Sequence, residues 1–487
     1  MQVSPVHLPP TLSLRRPAAA AATPASGPSD QVMLSDQAAA TERVQVVKRS
    51  PSRHGGWVEL LRDRNPNLIQ RNFHPRTTQR SPEVIAAFGT DKPHSGDALL
   101  HYAGDPPPGV AVKPTPVLLV HGASKSAEFW WDPKEDGSNQ GLPQLLREQG
   151  FQVYAVSFAH NQDDQFFWAQ QIANASERIR ALTGAPQIDL VGHSKGGQAT
   201  RMYCSGVAHD WMARSQGDVR RLVLVAAPNG GIDTMFRHPS TNYVLYGDSD
   251  SPRLNAPMSW ERMVAWGSMR DTSAMGFSSE GPDYWPGQRQ MLARWAHRFP
   301  VPLSEPDWHT TYEGGQGFVS YSKGIDHYIA EGGNLVERLH KTPILPGIQV
   351  AVLAGDKADI QGIVNEKGGP SDGLLYLESA LKMPRGTELI AQSVLHLNHK
   401  SLVSDRQGQQ WIADVLADES PQRVPEKVIE QAIEAASKPL ADGDSGPAVP
   451  LAFAPGGPGS AIPRPFAPGS PGQATPLDST PRVLVEF

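Results

Sequence analysis

Short apolar runs alternate with amphipathic stretches through the middle of this 487-residue chain. That order is typical of a mostly parallel sheet whose strands are joined by covering helices. The predicted strands cover 116–120, 151–156, 188–191, 221–225 and 348–353, and the predicted helices cover 142–149, 166–182 and 198–203. We therefore predict an α/β fold, with a mostly parallel sheet and helices on both faces.

Composition divides the chain into three regions. Residues 1–55 are rich in Ala, Pro, Ser and Gln without a helical or strand period, which predicts a disordered N-terminal region. Residues 439–487 form a Pro- and Gly-rich tail, also expected to be extended. The folded domain is expected over 56–438, with 233–346 as an insertion because the strand pattern stops there.

The insertion is rich in Trp and Met. These residues are Trp260, Trp266, Trp285, Trp295 and Trp308, with Met258, Met263, Met269, Met275 and Met291. Most of them are expected to form a small core of the insertion itself. As a whole, the segment is expected to act as a helical lid or cap over a site.

Charge and cysteine content exclude several classes of protein. The net charge of -6 and the lack of a long run of Lys and Arg give no reason to expect a surface that binds nucleic acid. The single Cys204 excludes an internal disulfide and is expected to be a buried thiol on a helix. No stretch approaches the roughly 20 apolar residues of a membrane span, so a soluble protein is expected. The compartment stays open between the cytoplasm and export without a recognisable cleaved signal peptide.

The residues after the strand at 188–191 read Gly192-His193-Ser194-Lys195-Gly196-Gly197, and a helix follows. A Gly-x-Ser-x-Gly turn between a strand and a helix holds its serine in a strained backbone position, and small neighbours let the strand and helix approach. The helix also directs backbone N–H groups toward developing negative charge. Ser194 is therefore the predicted nucleophile.

A serine nucleophile needs donors for the oxyanion of its tetrahedral intermediate. One donor is expected to be the backbone N–H of the residue after the nucleophile, Lys195, and the other an N–H after an earlier strand. His121-Gly122-Ala123 follows such a strand, so Ala123 is the predicted second donor. His121 is expected to brace this loop.

The serine also needs a base from later in the chain. His396 and His399 both follow an apolar run beginning at Ser393. His399 is favoured, because it lies beyond the run, where it would reach the carboxyl edge of the sheet, and His396 is expected to be structural. His160 precedes the nucleophile and is out of order for this role.

Three carboxylates compete for the acid that orients the base. Asp356 ends the strand at 348–353, Asp359 follows it, and Asp372 lies further along. Spacing along the chain favours Asp356 slightly, since the acid often follows this strand closely.

Four motifs together resemble the lipase and esterase branch of the α/β-hydrolases, notably bacterial triacylglycerol lipases. They are Val117 to Gly122, Gly192 to Gly197, Ala227 to Gly231, and Ser371 to Ala380 with His399. The resemblance covers about residues 114 to 418. In that family an Asp-Gly step followed by Ser-Ala carries the acid, which implies Asp372 and leaves Asp356 as the alternative. Lys195 stands where Gln or Met is frequent.

The expected activity is ester hydrolysis through a Ser-His-Asp triad and an acyl-enzyme, with a lipase preferred over a small-ester esterase. The alternatives are an acyltransferase or thioesterase on the same triad, or a partner-binding protein whose hydrolase domain is vestigial. The expected substrate is a small-molecule or lipid ester, with transient contact at a lipid interface. No metal, no cofactor and no obligate protein partner is expected.

Overall fold

A computed structural model of the chain describes residues 44–74, 77–138, 140–238, 283–302, 312–316, 321–361, 363 and 365–417. Within this part, nine strands form one sheet and two short strands form a separate pair. The strands are β1 Val44–Pro51, β2 Trp57–Asp63, β3 Asp97–Tyr102, β4 Val117–Val120, β5 Val153–Phe158, β6 Ile188–His193, β7 Val219–Val225, β8 Gly315–Gln316, β9 Tyr321–Ser322, β10 Gln349–Gly355 and β11 Leu389–Leu395.

The large sheet has the order β1-β2-β3-β5-β4-β6-β7-β10-β11. In this order β5, β4, β6, β7, β10 and β11 run parallel to one another, whereas β1, β2 and β3 pair antiparallel at one side. Most of the parallel strands are buried on both faces, which explains why they are largely apolar runs in the sequence. The predicted mostly parallel sheet is confirmed.

Helices cover both faces of this sheet, as predicted. They are α1 Pro82–Phe88, α2 Glu128–Trp131, α3 Leu142–Glu148, α4 Gln165–Thr183, α5 Lys195–Ser205, α6 Thr234–Arg237, α7 Pro286–Arg289, α8 Ile325–Glu331, α9 Leu335–Lys341, α10 Leu377–Leu381, α11 Ser401–Ser404 and α12 Arg406–Ala417. Side chains alternate along each strand. Leu118 and Val120 therefore pack with α4 and α5 on one face, and Val117 and Leu119 pack with α3 and α12 on the other.

The boundary expected for the N-terminal region is wrong. Residues 44–51 form β1, which pairs along its length with β2, so order begins at least twelve residues before position 56. Most β1 side chains are exposed because it is an edge strand, and its polar sequence therefore lacks an apolar period. Arg49 adds an ion pair with Glu59 and lies over the ring of Trp57.

Residues 1–43 and 418–487 lie outside the described residues, and so do the disordered tails expected there. Within the insertion the same holds for Trp260, Trp266, Trp308, Met258, Met263, Met269 and Met275. Its described strands, β8 and β9, are antiparallel to each other.

Cys204 is buried on α5, as predicted, and burial raises the pKa of its thiol. In the described ranges, no helix is long and apolar enough to cross a membrane.

Candidate active site

Ser194 occupies the sharp turn between β6 and α5. Its backbone has φ 53° and ψ -127°, a left-handed conformation that costs a non-glycine residue about 1–3 kcal/mol. Glycines make the turn possible, because a Cβ on Gly192 would lie 2.7 Å from the Gly197 Cα. The Ser194 N–H donates to the Val225 carbonyl oxygen of the neighbouring strand at 2.9 Å. The turn is thus fixed by the sheet, and it presents the serine at the carboxyl edge.

The imidazole of His399 lies between the Ser194 hydroxyl and a carboxylate. His399 follows β11, and its Nε2 is 2.9 Å from Ser194 Oγ. Its Nδ1 is 2.8 Å from Oδ2 of Asp372. The structure therefore brings together the serine, the histidine and the acid implied by the family resemblance.

Asp372 is buried, and both of its carboxylate oxygens accept hydrogen bonds. While Oδ2 faces His399, Oδ1 accepts from the backbone N–H groups of Leu374 and Leu375, each at 3.0 Å. The backbones of the two residues are also joined, because the His399 backbone N–H donates to the Asp372 backbone carbonyl oxygen at 2.8 Å. These contacts fix the carboxylate and the imidazole relative to each other.

The alternative acid, Asp356, lies with a different histidine. Its Oδ1 is 2.9 Å from Nδ1 of His396, whose side chain is 77% exposed. Asp359 is also engaged, since it accepts from Asn398 and pairs with Lys357, each at 2.7 Å. The structure therefore does not bring Asp356 or Asp359 to His399.

The loop 121–124 lies directly against Ser194. A Cβ on Gly122 would be 3.0 Å from the Ser194 Cβ, closer than most contacts of this kind, so glycine favours this approach. His121 Nδ1–H donates to the Gly122 carbonyl oxygen at 2.7 Å, and burial lowers the pKa of His121 to about 3. The neutral imidazole thus braces the loop, as expected, and Ala123 follows on the cavity wall.

Lys195 is the first residue of α5, so its backbone N–H belongs to the N-terminus of that helix. Its side chain is fully buried, with Nζ 3.1 Å from the ring centre of Trp168. Among the described residues, Nζ has no hydrogen-bond partner. Burial lowers the pKa of this amine well below its usual value.

His193 was not among the predicted site residues, although it belongs to the motif itself. Its Nε2–H donates to the backbone carbonyl oxygen of His399 at 3.1 Å. Burial lowers the pKa of His193 to about 3, so the ring is a neutral donor at ordinary pH. His160, set aside by its position in the chain, instead donates from Nε2 to the Asn72 carbonyl oxygen at 3.2 Å.

A cavity of about 650 Å³ opens over Ser194 and His399. Apolar side chains form much of its wall, namely Phe129, Ile232, Met235, Trp285, Met291, Ile360 and Leu374. Of these residues, Trp285 and Met291 belong to the Trp- and Met-rich part of the insertion. Trp295, another tryptophan of the insertion, packs instead against Phe299 and Tyr376. In the part of the chain that the structure describes, no group of three or more His, Cys, Asp and Glu side chains is placed to hold a metal ion.

Sequence comparison identifies the family to which this fold and turn belong. Residues 117–358 match the alpha/beta hydrolase family, a span that runs from β4, past the turn at Ser194, to just beyond β10. The chain belongs to the α/β-hydrolase family. Its sheet of mostly parallel strands and its serine turn after β6 are the features that define this α/β hydrolase.

Two bacterial enzymes have sequences similar to part of this α/β hydrolase. A triacylglycerol lipase of Vibrio cholerae is 33% identical over 99 residues, which are 20% of this chain and 30% of that enzyme. A triacylglycerol lipase of Burkholderia plantarii is 30% identical over 105 residues, or 20% of this chain and 27% of that enzyme. The match thus spans less than a third of either relative.

Among solved structures, the mature form of a Bacillus licheniformis lipase aligns with 15% identity and a TM-score of 0.34. That alignment covers 65% of this α/β hydrolase and 97% of the other chain.

Proposed function

We propose that this α/β hydrolase is a serine carboxylic ester hydrolase of the lipase type. The observation that carries the proposal is the line of contacts from Ser194 Oγ through the His399 imidazole to the Asp372 carboxylate, at 2.9 and 2.8 Å. These distances lie within the range in which a base takes a proton from a nucleophile and an acid orients the base.

In the first half-reaction, His399 Nε2 takes the hydroxyl proton while Ser194 Oγ attacks the ester carbonyl carbon. The carbonyl oxygen becomes an oxyanion, held by the backbone N–H groups of Ala123 and Lys195. Asp372 stabilises the imidazolium and keeps the proton on Nδ1. When the carbon–oxygen bond to the alcohol breaks, His399 returns its proton to the leaving oxygen, and an acyl-serine remains.

Water completes the second half-reaction. His399 takes a proton from water as the hydroxide oxygen attacks the acyl-serine carbonyl, and the same donors hold the second oxyanion. Collapse breaks the bond to Ser194 Oγ, which recovers its proton from His399 as the carboxylic acid leaves.

The wall of the cavity favours an apolar acyl group. Trp285, Met291, Ile232, Met235 and Leu374 line the space beside Ser194. A surface of this composition gains free energy by removing an alkyl chain from water, about 0.8 kcal/mol for each buried CH₂. We propose lipid esters as the substrates, with the insertion forming part of the acyl-binding wall. The similar enzymes from Vibrio and Burkholderia are triacylglycerol lipases.

Hydrolysis of p-nitrophenyl esters of graded acyl length tests this function. We expect kcat/KM to rise from acetate to medium-length chains and to be abolished in Ser194→Ala. Emulsified tributyrin separates a lipase from a small-ester esterase, since a lipase gains activity when the substrate passes its solubility limit. If the folded wild type hydrolyses none of these esters, the proposed function is contradicted. If the rate does not change as tributyrin passes its solubility limit, the assignment as a lipase is contradicted.

A further inference from the structure

Ser124 lies directly after the predicted oxyanion donor Ala123 and lines the same cavity as Ser194 and His399. Its backbone is left-handed, with φ 59°, a conformation that favours glycine over serine. The Ser124 N–H donates to the Asn161 carbonyl oxygen at 3.1 Å, which fixes the backbone there. A side chain is therefore carried at a position where glycine would cost less, in the wall of the cavity that Ser194 and His399 also line.

The Ser124 hydroxyl is held by a buried glutamine. Gln162 Nε2–H donates to Ser124 Oγ at 2.5 Å. The same amide accepts through Oε1 from Gln288 Nε2 at 2.7 Å. Gln162 and Gln288 are 2% and 7% exposed, so water competes little with this relay.

The relay determines what the hydroxyl is able to do. A serine hydroxyl has one proton to donate and lone pairs to accept. Because Gln162 donates to Ser124 Oγ, and its own oxygen already accepts from Gln288, the Ser124 proton is not directed toward this amide. In the described residues the Ser124 hydroxyl donates to no protein atom, which leaves its proton free to turn into the cavity.

We propose that the Ser124 hydroxyl is a third donor to the oxyanion, beside the N–H groups of Ala123 and Lys195. Ser124 is then a catalytic residue, and Gln162 is a positioning residue that sets the direction of its proton. The proton stays on Ser124 Oγ throughout, so the step adds only a hydrogen bond that strengthens as negative charge develops. The inference rests on the proposed ester hydrolysis.

Two substitutions at position 124 separate catalysis from backbone strain. Ser124→Ala removes the hydroxyl and keeps the strained φ, whereas Ser124→Gly removes the hydroxyl and relieves the strain. We expect both variants to lose about 10- to 100-fold in kcat on a p-nitrophenyl ester with little change in KM, although only Ser124→Gly gains thermal stability. Both are also expected to bind a trifluoromethyl ketone, which forms an anionic adduct with Ser194, more weakly by a similar factor.

A third substitution tests the relay. In Gln162→Glu the side chain accepts from Ser124 instead of donating, which turns the hydroxyl proton away from the cavity. We expect kcat to fall in Gln162→Glu, but to fall no further when this change is added to Ser124→Ala, because the proton it redirects is already absent.

The inference is overturned if the wild type hydrolyses the ester and both position-124 variants keep kcat and ketone affinity within about twofold. If Gln162→Glu lowers kcat by the same factor in Ser124→Ala as it does in the wild type, the positioning role of Gln162 is overturned. These outcomes differ from failure of the proposed function, in which the wild type itself hydrolyses no ester.

Discussion

The His193 imidazole donates a hydrogen bond from Nε2 to the backbone carbonyl oxygen of His399 at 3.1 Å. The strand that leads into Ser194 thus holds the loop that carries the proposed base, across 206 positions of sequence. His193 is buried and stacks on Phe129, so this donor is itself fixed in place.

Replacing His193 by Phe is expected to loosen the His399 loop without removing any group of the proposed triad. We expect kcat for ester hydrolysis to fall about 10- to 100-fold, because a small misplacement of a base has effects of that size. His193→Gln keeps an amide N–H as donor and should lose less. Steady-state kinetics of both variants check this prediction, and equal activity in His193→Phe and the wild type would contradict it.

The choice of acid is tested by a matched pair of isosteric changes. Asp372→Asn removes the charge beside His399 and allows the wrong tautomer, so kcat is expected to fall on the order of 10³- to 10⁴-fold. Asp356→Asn changes only a partner of the exposed His396 and should leave kcat nearly unchanged. Kinetics on one soluble ester decide between them, and the reverse ranking would show that Asp356 is the acid.

Lys195 is expected to reduce stability at neutral pH. Burial lowers the pKa of its amine, so between the folded value and 10.5 the unfolded chain binds more protons than the folded chain. The wild-type free energy of unfolding therefore rises with pH through that window. Lys195→Met lacks this slope and removes a buried amine that has no hydrogen-bond partner among the described residues, so it should be more stable at pH 7 by about 1–3 kcal/mol.

Urea unfolding of wild type and Lys195→Met from pH 7 to 10 measures this difference. The difference in the free energy of unfolding between the two proteins should narrow as pH rises toward 10.5. Lys92→Met, at an exposed position, controls for removal of a surface charge. A less stable Lys195→Met at pH 7 would contradict the prediction.

Acid is expected to destabilise the fold through buried neutral histidines. Burial lowers the pKa of His121 and His193 to about 3 and that of His101 and His160 to about 4. Because the unfolded chain protonates these groups near pH 6.5, stability is fully present above that pH and decreases as pH falls toward 4. Each histidine contributes up to about 1.4 kcal/mol per pH unit.

The free energy of unfolding between pH 7 and 4.5 measures this effect. His101→Gln is a suitable variant, because His101 contacts Ser157 and takes no part in the proposed chemistry. The free energy of unfolding of His101→Gln should change less steeply with pH than that of the wild type, by the amount that corresponds to about one bound proton. A wild-type free energy that stays constant through the window would show that these groups do not govern acid stability.

Much of the parallel sheet could be predicted because most of its strands are buried on both faces and are therefore largely apolar. The same reasoning missed β1, whose backbone is paired but whose side chains are mostly exposed. Ordering there comes from hydrogen bonds to β2, and edge pairing leaves little trace in hydrophobic periodicity.

The site was only partly predictable for a related reason. The strand and helix around Ser194 are local, so the turn is visible in the sequence. Which carboxylate reaches His399 depends on how the loop after β10 folds, and spacing alone favoured Asp356 over Asp372. The contact of Gln162 with Gln288 joins residues 126 positions apart and has no local signal.

The most direct test of Ser194 as the nucleophile is labelling with a fluorophosphonate, followed by mass spectrometry of the intact protein and its peptides. Such probes bond covalently to an activated serine hydroxyl, which requires the base at 2.9 Å to be functional. We expect one label per chain, on Ser194, and none in folded Ser194→Ala. A folded wild type that stays unlabelled, or a Ser194→Ala variant labelled to the same extent, would contradict this expectation.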